Sequence, residues 1–403
     1  MNNHQNNVIL LILDAFRGDY ISQDNTPNLF QFSKSSKYIK YLKPSFGFCE
    51  RTEILTGKTS IETGFFTAFG LDPKNSPYKE YKKTIKLFSI FDKFIFIPIF
   101  QKILRRVFWI IFKNKKHTFY PFNIPYDLLL KLSLTEDGKD SLITNSRNSI
   151  YKLSNGVFNK ATTDMSSNLI GDDQYRLRIT LENLLDNNYQ FYPVYISKMD
   201  YVGHYHGPNS RQAKDALIEV DTIIADFVDD LFKKDDECTI IICGDHGMTE
   251  VENKVDIEAT IKKKLDEPAF KNLFYFLDST IARFWQIKKS EDEFIRISNL
   301  LENEFGNLGQ VVKRCDYERF NIPNSKKYGD FCFICNSGTI INPDFFNSNK
   351  NLKGMHGYNS SDISTLGFCM ILSNNIKSPF IDKNIKNLTK VYGLIKESLN
   401  LKL

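Results

Sequence analysis

Short apolar runs without clean alternation punctuate the chain, and several stop at a residue able to do chemistry. Val8–Leu13 leads into Asp14, the mostly apolar Tyr192–Met199 into Asp200, and Thr239–Cys243 into Gly244, Asp245 and His246. Such runs suit strands covered on both faces, the condition of a parallel sheet flanked by helices. In these sheets ligands collect beyond the carboxyl ends of the strands, so three sets of candidate ligands fall on one edge of one sheet. Between the second and third runs, Arg211–Lys234 carries Ala216, Leu217, Val220, Ile223, Ile224, Phe227, Val228 and Leu231 at helical spacing. That spacing predicts the crossover helix. The pattern therefore predicts an α/β fold with a mostly parallel central sheet.

From about Lys82 to Tyr120 the pattern changes. Aromatic and aliphatic residues, Phe88 to Phe112, alternate with Lys86, Lys93, Lys102, Arg105, Arg106 and Lys113. A spanning helix needs roughly 20 predominantly apolar residues, and here the cations interrupt the run while Pro98 breaks the helix. The mixture suits an interfacial helix, with its apolar face in the acyl boundary and its cations on anionic headgroups. It would equally serve a lipid-linked substrate. In the alternative reading these helices pack on the core or on a second subunit, which leaves an oligomer open. Residues 72–165 are thus expected as an inserted aromatic and basic cap, and 1–71 with 166–403 as the core.

Composition narrows the class. At 403 residues, with 42% hydrophobic and 25% charged side chains, the chain can bury a full core. A net charge of +5 over 53 basic and 48 acidic residues is too balanced to imply a nucleic-acid polymer as partner. Seven scattered cysteines do not resemble the disulfide framework of a small secreted domain, and Val8–Leu13 reads as a strand rather than a signal peptide. The expected location is cytoplasmic, with a peripheral position on the inner face of a membrane. Cys332 and Cys335 have a Cys-x-x-Cys spacing, but on a strand that offset sends the two thiols to opposite faces, and core packing is expected.

Three of the six histidines, His204, His246 and His356, each lie close to a glycine, in the contexts Asp-xxx-His, Asp-His and Gly-Met-His-Gly. Mixed carboxylate and imidazole donors suit Zn²⁺ or Mn²⁺. Asp200 and His204 straddle an expected strand end and can reach one ion; Asp245 and His246 are neighbours that can turn onto a second. Two ions roughly 4 Å apart stabilise both the attacking and the leaving oxygen of an in-line displacement at phosphorus.

Six motifs in order, Leu13–Tyr20, Thr26–Leu29, Leu55–Gly57, Asp200–Pro208, Gly244–Met248 and Gly354–Tyr358, resemble the nucleotide pyrophosphatase/phosphodiesterase branch of the alkaline phosphatase superfamily. The resemblance implies an alkaline-phosphatase-like three-layer sandwich and a hydrolase acting on a phosphodiester or pyrophosphate. It also implies a pair of divalent metal ions, zinc by preference with manganese as the alternative. Asp200, His204 and His356 would hold one ion, and Asp14, Asp245 and His246 the other. His206 is expected at the surface or behind the ligands.

The nucleophile departs from the family pattern. Counting back from Thr56-Gly57 by the family's fixed distance lands on Gly47, which cannot attack. Ser45 and Cys49, each two positions away, are the neighbouring candidates. Ser45 is favoured, because a hydroxyl near a cation and a helix N-terminus has its alkoxide stabilised, and Arg51 could pair with an anionic oxygen. A third route is direct attack by a hydroxide generated at the metals. The expected mechanism is attack by Ser45 followed by hydrolysis or transfer to a second alcohol. The competing reading is a catalytically degenerate member acting as a membrane-associated binding or scaffold protein. Six intact ligands argue against decay, since buried charges without an ion cost stability.

Overall fold

The structure is a computed structural model and describes residues 7–94, 98–115, 118–135, 150, 171–185, 190–234, 238–347, 351–373 and 385–401. These group into two compact units, Met1–Thr63 with Gly138–Val251 and Leu352–Leu403, and Gly64–Asp137 with Glu252–Asn351. The aromatic and basic segment shares its unit with Glu252–Asn351, whereas the division at residues 72 and 166 followed composition alone. Of that 72–165 segment, residues 95–97, 116–117, 136–149 and 151–165 lie outside the described residues.

The first unit is built on a five-stranded sheet. Its elements in chain order are β1 (Asn7–Leu13), α1 (Pro27–Ser35), β2 (Lys37–Leu42), α2 (Glu50–Thr56), α3 (Asp173–Leu185), β3 (Phe191–Ile196), α4 (Lys198–His206), α5 (Arg211–Lys234), β4 (Cys238–Gly244), β5 (Gly367–Ser373) and α6 (Val391–Ser398). The strand order is β2-β5-β4-β1-β3. Both β3 and β4 pair in parallel with the central β1, while β5 runs antiparallel to β4 and β2.

Period-two side-chain alternation explains why β1 has no polar face. Ile9, Leu11 and Leu13 pack with Val220, Ile224 and Phe227 of α5. Val8, Leu10 and Ile12 go to the opposite face, with Ile54 and Leu55 of α2 and Val391, Leu394 and Ile395 of α6. Each of these β1 residues is at most 1% exposed, and burying a Val, Ile or Leu side chain is worth about 1.5–3 kcal/mol. The expected crossover helix is α5. Its buried Asp221 accepts from the N–H groups of Asn28 (3.1 Å) and Leu29 (2.8 Å), so the Thr26–Leu29 motif ties the start of α1 to α5.

The second unit holds an antiparallel sheet in the order Gly309–Lys313, Phe331–Cys335, Ile281–Gln286, Leu273–Leu277. Cys332 and Cys335 are buried free thiols in it. Helix Pro98–Phe112 belongs to this unit and is amphipathic in an unusual sense. Phe108 and Phe112 are buried against Tyr78, and Phe108 also meets Phe88 and Tyr126. Arg105 is buried as well, over the Tyr126 ring at 3.9 Å and 3.5 Å from Asp92. The outward face is aliphatic: Ile99, Ile103, Val107 and Ile110 are 75%, 57%, 45% and 66% exposed. Among the described residues no helix is long and apolar enough to cross a membrane.

Candidate metal centre

Register creates the site. Leu13 pairs with both Ile196 and Gly244, so the carboxyl ends of β1, β3 and β4 stand abreast. Asp14 and Asp245 follow directly from two of them. The second apolar run, Tyr192–Met199, reads as a strand along its whole length. It instead ends at Ile196, and Ser197 becomes the N-cap of α4. Asp200 and His204 therefore lie one helical turn apart on the same side of α4, with Asp200 Oδ1 3.1 Å from His204 Nε2. Gly354–Met355 pairs antiparallel with Thr249–Glu250 and delivers His356 beside them.

Each imidazole is aimed by its surroundings. His204 Nδ1 lies 2.9 Å from the Gly354 carbonyl and His246 Nδ1 2.8 Å from that of Gly247. If Nδ1–H donates there, Nε2 is left to face the acids, as in metal-ligating histidines. His246 Nε2 is 3.1 Å from Asp14 and 3.7 Å from Asp245. His356 Nε2 is 3.5 Å from Asp200. Asp14 is also held by the Tyr195 hydroxyl, which donates to its Oδ2. Asp245 Oδ1 accepts from the N–H of His246 (2.9 Å) and of Ala15 (3.3 Å). Ala15 adopts φ 57°, an uncommon conformation for a non-glycine residue that turns the chain sharply after Asp14.

Electrostatics mark the centre as built for positive charge. Burial raises Asp14, with Asp200 adding to it, and burial pushes Asp245 up to about 7. Burial likewise pushes Glu50 up to about 8. For Asp200 burial acts upward too, but His204, His356 and His246 together pull it below the usual carboxylate range. Burial drives His356 well below an ordinary imidazole, and His246 adds to the effect. Several acids crowded with imidazoles out of water are a strained arrangement unless cations share the site.

Donor atoms of Asp200, His204 and His356 lie within 4.8 Å of one another, as do those of Asp14, Asp200 and His246, and those of Glu50, His246 and His356. Asp245 adjoins these sets through His246. Cys49 belongs to none of these sets among the described residues. The Ser45 N–H donates to Glu53 Oε2 at 3.0 Å and its hydroxyl engages the same carboxyl. Cys49 is 1% exposed, with Sγ 3.9 Å from the Phe46 carbonyl. The Arg51 guanidinium lies 5.7 Å from the Tyr195 ring centroid and acts on Asp245 and His356. His206 is exposed at the end of α4.

Residues 8–359 match the sequence model of the family described as Type I phosphodiesterase / nucleotide pyrophosphatase. The chain belongs to this family. Among curated relatives it is similar to mouse ectonucleotide pyrophosphatase/phosphodiesterase family member 7, at 23% identity over 373 residues, covering 89% of this chain and 75% of that protein. Among solved structures it is similar to murine ectonucleotide pyrophosphatase/phosphodiesterase 5 in an inactive variant bound to AMP, with a TM-score of 0.64 at 17% identity, covering 99% and 96% of the two chains. The human counterpart gives a TM-score of 0.64 at 18% identity, covering 98% and 95%. At these identities the structures establish the α/β fold, with its central sheet flanked by helices.

The type I phosphodiesterase family is a two-metal enzyme family, and this member's residues fit such a centre. His356 Nδ1 is buried with no hydrogen-bond partner among the described residues, and the donor set is carboxylate and imidazole throughout. Two residues of this family member escaped the sequence reading, Tyr195 and Glu50. Tyr195 carried a signal, a hydroxyl near the carboxyl end of an apolar strand. Glu50 carried a weaker one, its place between Cys49 and Arg51.

Proposed function

We propose that the chain hydrolyses a phosphodiester or pyrophosphate at this centre, with zinc the preferred ion and manganese the alternative. Asp200, His204 and His356 would hold one ion, and Asp14, Asp245 and His246 the other. The convergence of these six side chains, from three strand ends and one distant loop, carries the reading. When bound, the ions would supply Lewis-acid neutralisation of the substrate phosphate and of the leaving oxygen. The chain supplies orientation. Tyr195 locks Asp14, backbone carbonyls aim His204 and His246, and Arg51 adds a positive charge where an anionic oxygen would be drawn. Ser45 remains the candidate nucleophile; Glu53, which burial pushes up to about 7, contacts its hydroxyl and is a base at hand for its proton. Water completes hydrolysis, and an alcohol in its place would give transfer.

The relatives' names, and the AMP bound to one neighbour, support a nucleotide-type diester as substrate. Turnover of bis(p-nitrophenyl) phosphate with added Zn²⁺ or Mn²⁺ tests the proposal against Asp245→Ala. Equal and negligible rates for both proteins would favour the scaffold reading.

One observation supports contact with a membrane surface or lipid-linked substrate as part of this function. The outward stripe Ile99, Ile103, Val107 and Ile110 runs beside the exposed Lys102 and Arg106, the composition of an interfacial helix. The cytoplasmic location belongs to the same proposal, and it is supported by seven cysteines of which none is joined in a disulfide.

A further inference from the structure

We infer that Glu50 is an additional protein ligand of the metal centre, presenting its carboxylate from the first turn of α2 to the ion held at His246. This rests on the two-metal reading above. A carboxylate oxygen of Glu50 and one nitrogen each of His246 and His356 lie within 4.8 Å of one another, yet no hydrogen bond or close ion pair joins Glu50 to either ring among the described residues. Glu50 is only 7% exposed. A carboxylate taken out of water costs several kcal/mol unless an opposite charge answers it. A cation between the three groups would answer it, while the imidazoles alone stand too far off to bond.

The placement is tightly determined. Gly47 has φ 108°, a conformation that favours glycine, and the next residue, Phe48, packs edge-on to His356 at 5.5 Å. Gly357 leaves room for that contact, because a Cβ there would sit 2.7 Å from the Phe48 ring. Cys49 then buries its thiol, and Thr52, Glu53, Ile54 and Leu55 are buried as α2 proceeds. The loop is thus clamped against the His356 segment, and Glu50 has little freedom to point elsewhere. Position 47 offers no side chain to the centre; the carboxylate three residues later does.

Zn²⁺ binding by the full chain, in competition with a chromogenic chelator, tests the inference without reference to turnover. The expected result is two ions bound by the wild type, and affinity for one of them reduced about tenfold or more in Glu50→Gln. Melting temperatures separate ligation from packing. Without metal Glu50→Gln should melt at or above the wild type, since a neutral amide replaces a buried acid that only the unbonded His246 ring offsets; with Zn²⁺ it should gain less. Glu50→Asp, which keeps the charge on a shorter stem, should fall between the two, and it carries the test if the glutamine variant does not fold. Wild-type affinity for both ions in Glu50→Gln, or equal destabilisation with and without Zn²⁺, would overturn the inference and leave the two-metal reading standing. A wild type that binds no Zn²⁺ at all would bring down both.

Discussion

His246 and His356 stack with ring centroids 3.9 Å apart and planes 9° from parallel. Two imidazolium rings cannot share that geometry, and the structure divides the charge between them. Burial lowers His246, but Asp245, Asp14 and Glu50 more than reverse it and hold it well above an ordinary imidazole. His356 is driven the other way. A neutral His356 is a ready ligand, and His356→Ala removes both a donor and the surface on which His246 rests. The expected outcome is loss of one of two zinc ions after dialysis and a fall in kcat/KM on bis(p-nitrophenyl) phosphate of at least about 100-fold, since a ligand should cost no less than the groups behind it. Retention of both ions would exclude His356 from the centre.

Charge in the centre also sets a pH dependence with a definite sign. Burial raises Glu50 to about 8 and Asp245 and Glu53 to about 7. A carboxyl raised in the folded state stabilises the fold below its unfolded pKa, and that contribution is lost as pH rises through the folded pKa. The chain held in chelator should therefore melt at progressively lower temperature from pH 5 to pH 8. Zinc binding needs Glu50 and Asp245 ionised, so affinity should climb across the same interval with protons released. Thermal melts and isothermal calorimetry in buffers of different ionisation enthalpy measure the two trends, and a metal-free chain that gains stability toward pH 8 would contradict the first.

The nucleophile assignment separates by substitution. Cys49 is packed and its thiol faces a backbone carbonyl, so Cys49→Ala should leave kcat within a few-fold and cost about 1 kcal/mol of stability. Ser45→Ala should leave zinc content unchanged while lowering kcat at least about 100-fold. Unchanged turnover in Ser45→Ala would move attack away from this side chain, to a route without a covalent intermediate.

What could be read in advance follows from how each feature is encoded. The strands and α5 were legible because burial on two faces leaves uninterrupted apolar runs, and burial on one face leaves helical spacing. Asp14, Asp200, His204, Asp245 and His246 could be proposed as ligands because their motifs follow those runs, and His356 because its Gly-Met-His-Gly context again sets a histidine beside glycine. The start of α4 was not, since Ser197 and Lys198 interrupt an apolar stretch without any strong helix signal. Glu50 was hidden for a different reason. Nothing in Cys-Glu-Arg says that α2 begins there, and only the fold of the Gly47 loop against His356 turns that carboxylate onto the imidazoles. Tyr195 was hidden inside its own strand, where its ring reads as core and only its hydroxyl serves Asp14.

The outward face of helix Pro98–Phe112 makes a last claim that can fail cleanly. Ile99, Ile103, Val107 and Ile110 recur at three- and four-residue steps, so they form one stripe, while the buried face already holds Phe108, Phe112 and Arg105. Removing aliphatic side chains from water contributes roughly 25 cal/mol per Å², and neighbouring cations add about 1 kcal/mol each at an anionic surface. The chain should therefore sediment with vesicles containing anionic lipid, more weakly with neutral vesicles, and less as salt is raised. Ile103→Glu combined with Ile110→Glu should abolish sedimentation with the melting temperature nearly unchanged, because both side chains are exposed. If the double variant instead loses stability or changes its sedimentation coefficient in the absence of lipid, the stripe is an interface with protein, and the membrane reading falls.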